Sequence, residues 1–418
     1  MKIQTTEEKR DEYIVKLHGI LQENRQIKSL RYFADQAIKW NEKIRQGITG
    51  RHAVILGTGI PEEIIMAAGE RALWILGGSH EYCRWSDDLV PRDTDPVCRS
   101  VLGYVQILRQ SARQGDLLFI IPGNCDGFRK TAYHLIREGE KVCVVEFPSD
   151  RNDPNSLTDW KDQIYRLART VAEHVRGKIT PESLYQAVRL TSKARLALYE
   201  FSSKAHDYDG ILNSSARMLI RNSYSYSDDL DTWTKKLKKL MSELASLRHN
   251  NARITDRYPE IILLGSPVYF PDDKIAHLLS DAGLSLKGQA DAYEQIQSII
   301  PKTGRDRRNL RKMISTIAQA WYRSDASPAY IRNTAMRRRI CMLAAARQME
   351  GVVYHVLKGQ IEQDFELSYY EKLLDKYQIP VFRLETDYQY QDVEQLRIRL
   401  EAFAEMLTQY RFREKEAI

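Results

Sequence analysis

A chain of 418 residues has the length of two or three ordinary domains, and 43% apolar content is enough to give them cores, which excludes a disordered chain. Lysine and arginine number 63 against 56 aspartates and glutamates; the net charge of +7 can help attract anionic substrates but makes no case for nucleic acid. No stretch approaches the ~18 consecutive apolar residues of a membrane span, and MKIQTTEEKRDEYIVKL has no apolar signal core, so a cytoplasmic protein away from membranes is expected.

Residues 1–50 read as helices, with Tyr13, Leu17, Ile20 and Leu21 at helical spacing. The pattern then changes to short apolar runs: His52-Ala-Val-Ile-Leu-Gly57, Ala72-Leu-Trp-Ile-Leu-Gly77, Leu117-Leu-Phe-Ile-Ile-Pro122 and Val142-Cys-Val-Val-Glu-Phe147. Such runs suit strands of a parallel sheet covered on both faces. Helical stretches at 61–70, 96–113 and 127–137 separate them, so 51–155 is expected to be a first α/β domain. Residues 156–255 are expected to form a helical connecting segment; Thr180-Pro181-Glu-Ser is a helix start with proline at the first helical position. Strands return at 260–265, 351–356 and 380–384, with helices expected at 272–282, 291–300, 307–322, 330–349 and 392–411. These make 256–418 a second α/β domain with a C-terminal helix. The expected fold is α/β, with two doubly wound parallel-sheet domains, a helical middle and helical termini.

Gly57-Thr-Gly59-Ile-Pro61-Glu62 follows a strand and opens a helix, as a dinucleotide loop does. Glu62 at the third glycine position opposes a pyrophosphate, and the reading favoured is a tight turn whose acids complement the helix dipole. Gly123-Asn-Cys125-Asp-Gly127 lies at the end of a strand and the start of a helix, where open sheets bind ligands and helix amides lower a thiol's pKa. Position alone leaves Cys125 balanced between a ligand and a small turn residue. The five cysteines are odd in number and contain no CxxC, which supports neither disulfides nor a zinc ribbon. Cys98 reads as a helical cysteine, Cys143 and Cys341 as core, and Cys83 as uncommitted. Lys235-Lys-Leu-Lys-Lys239, Arg305-Asp-Arg-Arg308 and Arg337-Arg-Arg339 read as solvated helix faces. No motif assigns a catalytic residue.

Several segments, in order from about residue 50 to the C-terminus, resemble the 2-hydroxyacyl-CoA dehydratase and benzoyl-CoA reductase family. They are Gly59-Ile-Pro-Glu-Glu-Ile-Ile-Met-Ala-Ala-Gly69, Leu76-Gly-Gly-Ser79, Pro91-Arg-Asp with Arg99-Ser100 and Gly103, and Cys125-Asp-Gly127 with Lys130. The second half supplies Gly265-Ser-Pro267 with Lys274, Gly351-Val-Val-Tyr-His355-Val-Leu-Lys-Gly359, Asp364-Phe-Glu366, and Ile379-Pro-Val with Glu385-Thr-Asp387. The resemblance implies two α/β domains with a [4Fe–4S] cluster in the cleft between them. It implies a heterodimer of homologous subunits and an ATP-hydrolysing iron–sulfur activator as electron donor. It also implies oxygen-sensitive, low-potential single-electron chemistry on a CoA thioester, as a dehydratase (a lyase) or a reductase (an oxidoreductase).

The resemblance also implies three cluster cysteines. One falls on Cys125; the other two positions hold Asp95 and Gln360. Cys98, three residues after Asp95, is the candidate replacement, and Ser266, His355 and Gln360 are expected to line the cleft. Three expectations follow: a cluster-bearing subunit with altered ligands, a cluster-poor or cluster-free subunit paired with an intact paralogue, or a cluster-free CoA-ester-binding or structural member without redox activity.

Overall fold

A computed structural model describes residues 12–250, 258–291, 293–304, 307–346 and 349–416. The end of the helical middle segment, the sequence MKIQTTEEKR and Arg305 of the second basic stretch fall outside the described residues. Two four-stranded sheets organise the chain. The first holds β1 (His52–Leu56), β2 (Leu73–Ile75), β3 (Leu117–Gly123) and β4 (Lys141–Glu146) in the order β2-β1-β3-β4. The second holds β5 (Glu260–Gly265), β6 (Ser285–Ala290), β7 (Gly351–Leu357) and β8 (Val381–Thr386) in the order β6-β5-β7-β8. All pairings are parallel. Every residue of β3 and of β7 is buried, as continuously apolar central strands require.

In both sheets the chain runs outward from a central strand and then crosses back to its other neighbour. The crossing opens a crevice at the carboxyl ends of β1 and β3 in one sheet, and of β5 and β7 in the other. The Gly57 and Cys125 turns flank the first crevice; Ser266 and Gln360 flank the second.

β6 was not legible as a strand. Ser-Leu-Lys-Gly-Gln-Ala is polar because β6 is an edge, buried only at Ser285 and Ala290, and its pairing with β5 shifts register at Ile261/Ile262. The helix expected at 291–300 is a single tight turn, Glu294–Ser298. Cys341, expected in the core, is only half-buried. The buried stripe of its helix, Thr334–Ala345, runs through Met336, Ile340 and Ala344, and Cys341 stands one residue off it.

Helices of the middle segment tie the halves together. Pro181–Lys204 begins with a reciprocal cap between Thr180 and Ser183, and Tyr226 on Ser214–Tyr226 donates its hydroxyl to Phe270 O (3.1 Å). The turn after β1 is structural. Gly57 and Gly59 have positive φ, and a Cβ on Gly59 would stand 2.6 Å from the Phe147 ring. Glu62 and Glu63, in the short helix Glu62–Ala67, are fully buried. Arg195, 0% exposed, reaches Glu62 Oε1 (2.8 Å), Glu63 Oε1 (2.5 Å) and Ile299 O (3.0 Å). Arg71 takes Glu62 Oε2 (2.5 Å), and Trp321 Nε1 donates to Glu63 Oε2 (3.1 Å). No helix among the described residues is long and apolar enough to cross a membrane.

Candidate functional site

Cys125 follows β3 and caps the helix Asp126–Arg137; its sulfur accepts from Phe128 N (3.4 Å). Asp95 caps the helix Pro96–Ser111 in the same way, accepting from Val97 N (2.9 Å), with Pro96 at the first helical position. Both caps point into the space where the two sheets' carboxyl ends meet. The proximity of the halves there is tight: a Cβ on Gly78 would stand 2.3 Å from Tyr269 O, and one on Gly359 2.9 Å from Asp95 N.

The first turn of Pro96–Ser111 brings Cys98 beside Cys125. A hydrogen bond between the two thiols, together with burial, holds Cys98 well above the ordinary thiol range. Gly127 makes this approach possible, since a Cβ there would stand 2.5 Å from Cys98 Sγ. Cys98 also donates to Asp95 Oδ2 (3.5 Å). Asp95 Oδ1 accepts from Gln360 Nε2 (3.1 Å), Ser266 Oγ donates to Gln360 Oε1 (2.6 Å), and Leu357 N donates to Ser266 Oγ (2.9 Å). One continuous hydrogen-bonded chain therefore runs from the Cys125 turn to the end of β7. Burial pushes the Asp95 carboxyl up to about 6, within reach of protonation near neutral pH.

His355 stands behind this chain on β7, buried, with Nδ1 3.2 Å from Ser266 O and Nε2 2.8 Å from Thr386 Oγ1. Burial lowers its pKa to about 4, so the ring is neutral, donating to the carbonyl and accepting from the hydroxyl. It fixes the Ser266 turn and does not reach the thiols' side directly. A histidine depressed from ~6.5 to about 4 leaves the folded state under-protonated as pH falls, so its contribution to stability is present above ~6.5 and is lost on acidification towards 4. Relative to His355→Gln, the wild type is expected to lose about 3 kcal/mol between pH 7 and pH 4 in urea unfolding. Parallel pH profiles for the two proteins would refute that assignment.

The structure brings Cys125, Cys98, Asp95, Gln360 and Ser266 together, with His355 one layer back. Cys83 is elsewhere in this region, its sulfur 3.6 Å from Pro96 O and its thiol pushed up to about 12 by burial. Cys143 is buried in β4. Three cluster ligands were expected at 95, 125 and 360. Only one of these is a thiol, and Cys98 adds a second. A neutral carboxamide is a poor iron ligand, and the Asp95 and Gln360 side chains are already bonded to each other and to their neighbours. No group of three or more His, Cys, Asp or Glu among the described residues is arranged to hold a metal ion. This donor set does not fit a [4Fe–4S] cluster.

The sequence pattern of 2-hydroxyglutaryl-CoA dehydratase, D-component, matches residues 58–407. An Escherichia coli (strain K12) protein provisionally named dehydratase subunit YjiM is 24% identical over 84% of this chain and 90% of its own. The (R)-phenyllactyl-CoA dehydratase beta subunit of Clostridium sporogenes is 23% identical over 83% of this chain and 89% of its own. The (R)-2-hydroxyglutaryl-CoA dehydratase subunit beta of Acidaminococcus fermentans is 22% identical, over 83% and 90%.

Proposed function

The chain belongs to the 2-hydroxyglutaryl-CoA dehydratase D-component family, and from that premise we propose that it is the cluster-poor subunit of a heterodimeric 2-hydroxyacyl-CoA dehydratase-type enzyme. In this reading an intact paralogous subunit carries the iron–sulfur cluster and the oxygen-sensitive, single-electron chemistry on the CoA thioester. An ATP-hydrolysing activator supplies that subunit's electron. The present chain contributes scaffold and interface. The observation that carries the proposal is the Asp95–Gln360 hydrogen bond, which occupies two positions expected to hold cluster thiolates and links the two halves of the cleft directly.

An exposed face beside the cleft supports a partner. The helix Ile361–Asp375 starts immediately after Gln360 and presents Ile361, Phe365 and Tyr369 at successive i, i+4 positions, 66%, 78% and 44% exposed. A stripe of that kind marks an interaction surface. A homologous subunit closing over the cleft mouth covers it. Purification from the native source under nitrogen is expected to recover a second family chain. Phe365→Glu is expected to weaken the complex by ~30-fold or more, the loss of a central apolar anchor. Recovery of the chain as a monomer, with no family partner, contradicts the proposal.

A further inference from the structure

All five cysteines are free thiols in this structure, and two of them meet. Cys98, in the first turn of Pro96–Ser111, and Cys125, the cap of Asp126–Arg137, share a thiol–thiol hydrogen bond. A Cβ built on Gly127 would stand 2.5 Å from Cys98 Sγ and 3.8 Å from Cys125 Sγ, so both sulfurs crowd the same glycine. The other three are placed differently. Cys83 donates to Pro96 O (3.6 Å), Cys143 is buried in β4, and Cys341 stands on Thr334–Ala345 in the second half of the chain.

The two sulfurs of the pair have different surroundings. Cys125 is half-buried, at the end of β3, with Phe128 N donating to its sulfur (3.4 Å). Cys98 is 1% exposed, and its thiol donates to Asp95 Oδ2 (3.5 Å). A small oxidant therefore meets Cys125 first, while a carboxylate stands ready to take the proton of Cys98. Oxidation-sensitive cysteines have this division of labour, an accessible sulfur poised beside a resolving one. Disulfide formation then needs only that the second sulfur lie within reach of the first, which the shared contact at Gly127 supplies.

We propose that Cys98 and Cys125 form an oxidisable dithiol that a peroxide converts to a disulfide, with Cys125 the sulfur attacked and Cys98 the sulfur that resolves it. In the first step the Cys125 sulfur attacks one peroxide oxygen. The O–O bond breaks, Cys125 becomes a sulfenic acid and one water leaves. In the second step the Cys98 sulfur attacks the Cys125 sulfur and gives its proton to Asp95 Oδ2. The S–O bond breaks, and the departing hydroxide takes that proton as a second water. The two thiols lose two electrons and the peroxide gains them. The disulfide removes the donor from Asp95 Oδ2 but leaves Oδ1 bonded to Val97 N and Gln360 Nε2, so the bridge between the halves survives oxidation. The dithiol needs neither a partner subunit nor a CoA ester, and its failure would leave the subunit assignment untouched.

Treatment of the reduced full chain with equimolar hydrogen peroxide, followed by thiol counting and peptide mapping, tests it. The chain is expected to lose two of its five thiols and to yield the tryptic peptides 93–99 and 114–129 joined by a disulfide that dithiothreitol reverses. Cys98→Ser is expected to leave Cys125 as a sulfenic acid that dimedone traps, with far less adduct in the wild type, where Cys98 consumes it. The wild-type cross-link is read without any variant, so a variant that does not fold leaves the test intact. Five thiols surviving peroxide, a disulfide that joins either cysteine to Cys83, Cys143 or Cys341 instead, or dimedone on Cys125 in the wild type as abundant as in Cys98→Ser would each overturn the proposal.

Discussion

Arg195→Ala is expected to destabilise the protein by about 3–5 kcal/mol in urea unfolding, a large fraction of the ~5–15 kcal/mol that holds a typical protein folded. Arg195 is the shared cation of two fully buried carboxylates, Glu62 and Glu63, and its guanidinium also donates to Ile299 O and lies over Trp321. Removing it strands two acids with one remaining cation, Arg71, which touches only Glu62. A buried ion pair contributes little over an apolar replacement, but breaking one by removing a single partner leaves an uncompensated charge. The pH dependence follows. Burial alone would raise the Glu62 carboxyl, but Arg71 and Arg195 outweigh it and its pKa is lowered. An acid with a lowered folded pKa stabilises above the ordinary carboxylate range near ~4.3 and loses that contribution as pH falls. The gap between wild type and Arg195→Ala therefore narrows in acid. A variant within about 1 kcal/mol of wild type at pH 7 would show that the network does not hold these helices together.

Asp95→Cys with Gln360→Cys is expected to raise the iron that the chain takes up as a cubane on anaerobic reconstitution. The two substitutions remove the Asp95–Gln360 bridge and bring the thiols of the cleft to four, with Cys98 and Cys125 already in contact. Soft thiolates are the donors such a cluster takes. Either single substitution leaves three thiols and one competing hydrogen-bonding side chain, and should load less. Iron and acid-labile sulfide, read with the visible absorption of the cluster, decide it. If the double variant binds no more iron than wild type, the positions 95 and 360 are not the ones that separate this chain from a cluster-bearing one.

The two-sheet plan was visible in the sequence because β1, β3, β5 and β7 are central strands, and strands covered on both faces must be apolar throughout. β6 escaped because an edge strand with a register shift need not be. Cys125 was placed by its position after β3. The bond between Asp95 and Gln360 spans 265 residues and has no local signature. Glu62 and Glu63 read as acids complementing a helix dipole; their burial depends on Arg195, which falls in phase with the buried stripe Leu184, Val188, Thr191 and Leu198.

The assignment of this chain as the cluster-poor subunit is tested most directly by where the iron goes. The native complex would be purified under nitrogen, its two family chains separated anaerobically, and iron and acid-labile sulfide measured on each. The account predicts a cubane's worth of both on the partner and none retained by the chain with Asp95 and Gln360. A full cubane on this chain, or none on either chain, would contradict it.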